Sequence, residues 1–258
     1  MSFEADLIHR TATVYADFLL PHLRRDARLL DCGCGSGSIT LGLRDFVGSI
    51  AAVDLDAAVM QPAERHARAE AIANVHFLAA DATALPFPDS SFDGVYCHSM
   101  LEAAKQPEAV VREAARVLVA GGVIGAASVE YGGLILSGPE SERLHEFYRV
   151  RERLWELDGV ARPRAGRDLR RLLSGAGFVD VRASAHYLSY GTPDAVRFFG
   201  EGRARDCLDE WFSSRTIAHG LYSQAELRQT ESAWRRWSAS PDSFAAFAWC
   251  RATARKKS

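Results

Sequence analysis

The residues Leu29-Leu30-Asp31-Cys32-Gly33-Cys34-Gly35-Ser36-Gly37 hold the strongest chemical signal in the chain. An apolar stretch ends in an acid and runs into a turn with glycine at every second place. Glycine has no Cβ, so it reaches backbone conformations that other residues avoid and lets a ligand lie against the main chain. A strand, then such a turn, then a helix is the usual entry to a nucleotide-type site. The spacing here is G-x-G-x-G. The dinucleotide fingerprint G-x-G-x-x-G needs its third small residue three places after the second glycine, and Ser38 stands there. By itself the triplet also fits a tight strand-to-helix turn with no ligand.

Two further acids strengthen the ligand reading. Asp54 ends the next apolar stretch, and Asp81-Ala82 ends the one after. An acid at the end of a second strand accepts hydrogen bonds from ribose hydroxyls. The plain alternative for Asp54 is a helix cap, a role that Asp56 fits better. An acid and a backbone amide at positions 81 and 82 can meet an adenine edge. Three strands ending in Asp put three carboxylates on one rim of a parallel sheet, where α/β folds bind ligands. Cys32 and Cys34 form C-x-C, but no second Cys/His pair stands at zinc-site spacing, so small residues lining a turn are the better reading and no metal is expected.

These residues need a frame of alternating elements. Leu7, Ile8, Thr11, Val14, Tyr15, Phe18 and Leu19 recur at helical spacing, which predicts an opening helix over residues 1–20, closed at Pro21. Strands are expected at Arg28–Asp31, Ile50–Asp54, Val75–Ala79, Phe92–Cys97 and Val123–Val129. Helices are expected over 38–45, 57–71 and 108–118. The alternation implies an α/β fold: a doubly wound, mostly parallel sheet with helices on both faces. From Tyr131 to Asp158 the chain reads as helical and aromatic. A short helix ends at Gly175, Phe178–Tyr190 alternates like a strand, Pro193–Trp237 is helical again, and Phe244–Thr253 reads as a final strand. One domain spanning 1–258, with helical cap segments at 131–165 and 193–240, is expected.

The chain resembles the class I S-adenosylmethionine-dependent methyltransferases, and among them the small-molecule branch that includes ubiquinone/menaquinone-type enzymes. The resemblance rests on Leu29–Gly37, Val53-Asp54-Leu55-Asp56, the run Asp81–Asp93, Glu113–Leu118, and Gly121-Gly122. It covers residues 1–130 and extends weakly to Ala176-Gly177-Phe178. It implies a seven-stranded Rossmann-like sheet with an antiparallel last strand, and S-adenosylmethionine as cofactor. It also implies roles. Asp31 and the loop of Gly33, Cys34 and Gly35 would hold the amino-acid part of the cofactor, and Asp54 the ribose. Leu55 would pack on the adenine, whose edge Asp81 and Ala82 would read. His98 and Ser99 would stand near the methionine part and the methyl group. Arg10 and Tyr15 lie on the opening helix, which in such folds often covers the cofactor; for Arg10, pairing with the cofactor carboxylate and plain solvation stay open. Two departures stand out: the family's Leu-Glu-His is Leu101-Glu102-Ala103 here, and its Pro-Gly-Gly before strand 5 is Ala120-Gly121-Gly122. Tyr96-Cys97-His98-Ser99 stands where enzymes that methylate exocyclic amines on bases have Asn/Asp-Pro-Pro-Tyr.

Methyl transfer from a sulfonium is an in-line displacement, so a protein mainly aligns the partners and excludes water. His98 is the best-placed general base, if the acceptor must lose a proton. Packing on the cofactor is its alternative role. Glu102, Tyr15, His145, His186, His219 and Tyr222 are weaker candidates. A formal net charge of −2 gives no global basic field for nucleic acid or an anionic membrane. No apolar run approaches the ~20 residues of a membrane span, no signal peptide is seen, and five cysteines without framework spacing fit a reducing compartment. The expectation is therefore a cytoplasmic methyltransferase acting on a small molecule with an aromatic or apolar face. The alternative is a protein that keeps the cofactor site and has lost the chemistry.

Overall fold

The computed structural model describes residues 10–159 and 161–258. Leu7 and Ile8 of the expected opening helix lie outside the described residues. The chain forms two compact units, interleaved along the sequence.

The first unit takes in residues 10–128, 165–185 and 250–258. Its elements follow the expected alternation: α1 (Ala12–Tyr15), β1 (Arg28–Cys32), α2 (Ser38–Leu43), β2 (Ser49–Asp54), α3 (Ala57–Ala69), β3 (Val75–Ala79), β4 (Phe92–His98), α4 (Pro107–Val117), the start of β5 (Leu118–Ser137), α6 (Leu169–Gly175), the start of β6 (Val179–Tyr190), and the end of β7 (Phe244–Arg255). Together the strands make a seven-stranded sheet in the order β3-β2-β1-β4-β5-β7-β6. The pairings that join β3, β2, β1, β4 and β5 are all parallel. Sequential strands thus grow outward from β1 in both directions, and the order reverses between β1 and β4. The carboxyl ends at such a reversal open a crevice.

Both faces of the sheet are covered, which explains why its central strands are apolar almost without interruption. On one side Leu30, Val95 and Ile124 pack with Val110, Val111, Ala114 and Val117 of α4. The spacing of those four residues places them on one helix face, and Pro107 starts the helix where its missing N–H costs nothing. On the other side Leu29, Ile50 and Tyr96 pack with Ala12, Ala16, Leu19, Ile39 and Leu43.

Two expectations are corrected. The described helix before β1 is only Ala12–Tyr15, and Pro21 lies inside a separate short 3-10 turn, Leu20–His22, rather than ending the first helix. β5 does not stop at Val129: it runs on to Ser137, through residues read as helical. Leu134-Ile135-Leu136 is a short apolar run whose periodicity fits either element.

The second unit takes in residues 129–159, 161–164 and 186–249. It contains α5 (Ser141–Asp158), α7 (Pro193–Leu208), α8 (Glu210–Ala218) and α9 (Gln224–Ala239), with the remaining parts of β5, β6 and β7. Its aromatic side chains pack mainly on one another. Trp234 meets Phe147, Phe199 and Trp237 at ring-centroid separations of 5.7, 5.8 and 5.5 Å. Trp234 and Trp237 are fully buried, and the Trp237 indole N–H donates to the Ser137 carbonyl at 2.7 Å. α9 starts at a capping box formed by Ser223 and Glu226.

Candidate active site

Every feature of the candidate site belongs to the first unit. β1 delivers Asp31 to the rim, where it is almost wholly buried at 2% exposure. Its Oδ2 accepts a hydrogen bond from Thr40 Oγ1 at 2.6 Å, across the turn from the first helix after the loop. Burial pushes the Asp31 carboxyl up to about 7; the Thr40 bond works against that rise, and the Asp54 charge adds to it.

The loop after Asp31 is built from left-handed glycines. Gly33, Gly35 and Gly37 have φ of 79°, 52° and 71°. The amides of Gly33 and Cys34 donate to the Val53 carbonyl at 2.8 and 2.9 Å, which fixes the loop to the end of β2. The two flanking glycines are required by crowding as well as by φ. A Cβ at Gly33 would come within 2.4 Å of Met100 Cγ, and one at Gly37 within 2.6 Å of Ala63 Cβ. At Gly35 a Cβ would meet nothing within 4 Å. That glycine therefore offers bare backbone toward open space, which is what close approach of a ligand needs.

Asp54 closes β2. Its Oδ2 accepts from the Gly35 amide at 2.9 Å and its Oδ1 from the Asp56 amide at 3.1 Å. Asp54 thus ties the glycine loop to the next turn while remaining partly exposed. Asp56 caps α3 through the Ala58 amide at 2.8 Å, as its position predicts. Leu55 stands between them, 78% exposed. Asp81 accepts from both the amide and the hydroxyl of Thr83, at 2.8 and 2.7 Å, and these bonds hold its carboxyl below the usual carboxylate range. The turn keeps Asp81 exposed beside the partly buried Ala82.

β4 ends at His98. Its ring stacks on Tyr96 with centroids 6.0 Å apart and takes the edge of Tyr15 at 5.2 Å. Burial lowers its pKa well below the ordinary imidazole value, and the positive charges of Arg10 and Arg251 lower it further. At neutral pH the ring is uncharged. Ser99, left-handed at φ 54°, donates its amide to Ala127 and accepts from Arg10 Nη1 at 3.2 Å. The Arg10 guanidinium also lies 5.3 Å from the centre of the Tyr15 ring. Arg10, Tyr15, His98 and Ser99 are therefore brought together, across almost ninety positions of sequence.

Several contributors went unsingled in the sequence. Thr40 holds Asp31, and its signal was position: a polar residue in the first turn of the helix that follows the loop. Arg251 ties the last strand to this corner, with Nη2 on the Val14 carbonyl and Nη1 on Asp17, each at 2.9 Å; nothing local marks it. Glu102, a weaker sequence candidate, is buried at 7% exposure, and burial raises its pKa. The other weaker candidates, His145, His186, His219 and Tyr222, belong to the second unit, where His219 pairs with Asp158 at 2.9 Å. No cluster of His, Cys, Asp and Glu among the described residues could hold a metal ion. Burial and the neighbouring Asp31 and Asp54 charges raise the Cys34 thiol far above its usual range, so it is protonated at neutral pH. No helix among the described residues is long and apolar enough to cross a membrane.

Residues 30–125 match a family model described as a methyltransferase domain. The chain is 30% identical over 235 residues to a malonyl-[acyl-carrier protein] O-methyltransferase of Halorhodospira halophila, covering 88% of this chain and 74% of that protein. It is 27% identical over 249 residues to a methyltransferase of Schizosaccharomyces pombe described as uncharacterized, covering 88% of this chain and 84% of that one. Among solved structures, phosphoethanolamine N-methyltransferase 2 of Haemonchus contortus, in complex with phosphomonomethylethanolamine and S-adenosylhomocysteine, superposes with a TM-score of 0.60 at 20% identity. That match covers 96% of this chain and 52% of the other, and at such identity the likeness is one of fold.

Proposed function

Since the chain belongs to the class I S-adenosylmethionine-dependent methyltransferases, we propose that it transfers a methyl group to an oxygen, carbon or nitrogen of a small organic molecule at the rim formed by β1, β2, β3 and β4. The observation that carries this reading is the pairing of Asp54 with the Gly35 amide, beside a glycine whose outer face is open. The donor set fits the cofactor: a buried acid, bare loop backbone, an acid ending the second strand, an exposed leucine, and an acid with an amide ending the third.

When bound there, S-adenosylmethionine supplies a methyl carbon already activated by its sulfonium. The chain's own residues then have three tasks. Asp31 and the loop of Gly33, Cys34 and Gly35 hold the amino-acid part, with Arg10 as the cation for its carboxylate. Asp54 takes the ribose, Leu55 covers the adenine, and Asp81 with the Ala82 amide reads its edge. His98 and Ser99 face the reacting end. His98 is uncharged at neutral pH, so it can accept a proton from the acceptor group. Its lowered basicity suits an acceptor that has become acidic during transfer, because proton transfer then occurs late. Tyr15 and Tyr96 hold the imidazole in one orientation.

Calorimetric titration tests the cofactor assignment. S-adenosylhomocysteine binds, and NAD and NADP bind more weakly or not at all. NAD binding tighter than S-adenosylhomocysteine would overturn it. Incubation with methyl-labelled S-adenosylmethionine and a panel of hydroxy, carboxy and amino acceptors tests transfer. Cofactor binding with no labelled product from any small-molecule class would favour the idle-site alternative.

A further inference from the structure

A hollow of about 360 Å³ lies in the second unit, lined by Glu140, Arg143, Arg228, Gln229, Ser232 and Arg236. It draws on the first turn of α5 and on one side of α9, two helices that pack together. We infer that this hollow is a binding site for the phosphate group of a phosphomonoester.

The charges do not balance within the hollow. Three guanidiniums face one carboxylate. Glu140 takes Arg236, whose Nε donates to Oε1 at 2.6 Å, and holds Arg143 only loosely, at 3.6 Å. Arg143 adds a long bond to Gln229 Oε1 at 3.4 Å. Arg228 stands in the wall, and among the described residues no acid is paired with it. Glu142 stands in the first turn of α5, and two further carboxylates nearby are engaged elsewhere. Glu226 is held by the Ser223 amide and hydroxyl at 2.8 and 2.7 Å, although it also feels Arg143. Glu231 is bonded to Arg235. Counting Glu226 as a neighbour still leaves the arginines in excess.

The backbone adds to the same effect. Glu140 is a non-glycine residue in the left-handed region, at φ 57° and ψ 24°, and it stands at the N-cap of α5 without capping it. A cap residue normally gives its side-chain oxygen to the first-turn amides. Here the left-handed turn accompanies a carboxylate directed to Arg236 instead. The N-terminal amides of an 18-residue helix, which favour an anion, therefore lack a side-chain cap at the same place. Glu140 acts as an internal stand-in for an external anion.

The donors select the ligand. Guanidiniums present paired N–H groups that match carboxylate or phosphate oxygens. One carboxylate has two oxygens and is satisfied by one or two such forks. Three arginines with the Ser232 hydroxyl and the Gln229 side chain exceed that capacity and suit the three terminal oxygens of a phosphomonoester. The volume exceeds that of the phosphate alone and leaves room for the adjoining part of the molecule that bears it.

The test is calorimetric titration of the full chain, at low ionic strength, with inorganic phosphate, glycerol 3-phosphate and dimethyl phosphate. Phosphate and the monoester are expected to bind, and the diester, with one charge and two free oxygens, at least about tenfold more weakly. Arg228→Ala and Arg236→Ala should each weaken glycerol 3-phosphate at least about tenfold. Glu140→Gln removes the internal competitor and should tighten it. Affinity for S-adenosylhomocysteine and melting temperature should stay unchanged in Arg228→Ala, which separates this site from the cofactor site. Absence of phosphate and monoester binding to the unaltered chain, equal affinity for the diester, full retention in Arg228→Ala, or weakening in Glu140→Gln would each overturn the assignment.

Discussion

Asp31 should make cofactor affinity depend on pH in a range where little else at the site titrates. The carboxyl is raised from 3.8 to about 7. With no ligand present, it is about half protonated at neutral pH. An acid that holds its proton more tightly when folded favours the folded state below about pH 4, and that contribution is lost as pH rises through about 7. The shift of roughly three pKa units corresponds to on the order of 4 kcal/mol of stability lost between those limits. An ammonium group beside the carboxylate reverses the situation, since the charge then gains a partner. Binding of the amino-acid part therefore requires Asp31 ionised. About 0.1 of the molecules are ionised at pH 6 and about 0.9 at pH 8, so S-adenosylhomocysteine should bind roughly tenfold more weakly at pH 6. His98 does not supply this dependence, because its pKa lies well below the imidazole range. Calorimetry from pH 5.5 to 8.5 reads the profile. Asp31→Asn should abolish it. Thr40→Val, nearly equal in volume, removes the hydrogen bond that lowers the pKa and should move the midpoint upward by about one unit or more. A flat profile in the unaltered protein, or an unchanged one in Asp31→Asn, would refute the reasoning.

Asp54→Ala should weaken S-adenosylhomocysteine by about 1.5–3 kcal/mol, since it removes the proposed ribose acceptor and the bond that anchors the Gly35 amide. Asp56→Ala should leave affinity nearly intact and cost about 1 kcal/mol of stability through the lost α3 cap, read from denaturant titration; the reverse pattern would mean the two acids are misassigned. Gly33→Ala should destabilise strongly, because a Cβ there runs into Met100 in a left-handed backbone. Gly35→Ala should cost only the backbone strain, about 1–2 kcal/mol, while losing cofactor affinity sharply; melting temperature and titration separate the two. Trp234→Ala should cost about 3–5 kcal/mol, because the side chain is wholly buried among Phe147, Phe199 and Trp237; a loss below 1 kcal/mol in denaturant titration would contradict that packing.

The sequence by itself determined the order of strands and helices through β4, the glycine loop, and the helix cap at Asp56. Each of these rests on local pattern: apolar runs, residue spacing, and the short reach of a side chain to its own neighbouring amides. Asp81 with Thr83 two places later belongs to the same class, a turn closed within three residues. Where two local readings fit equally, the sequence could not choose, and the stretch after Tyr131 shows it. Its apolar residues suit a helix or a strand, and pairing within the sheet decided for the strand. The meeting of Arg10 with Ser99, the support of Asp31 by Thr40, and the place of Arg251 beside Val14 and Asp17 depend on chain crossings that no local spacing records. The raised pKa of Asp31 is the plainest case. The residue was legible as an acid at the end of a strand, but its charge state follows from desolvation by everything packed around it, and only the folded chain sets that. The arginine hollow is likewise a property of two helices brought side by side, one supplying Glu140 and Arg143 and the other Arg228 and Arg236.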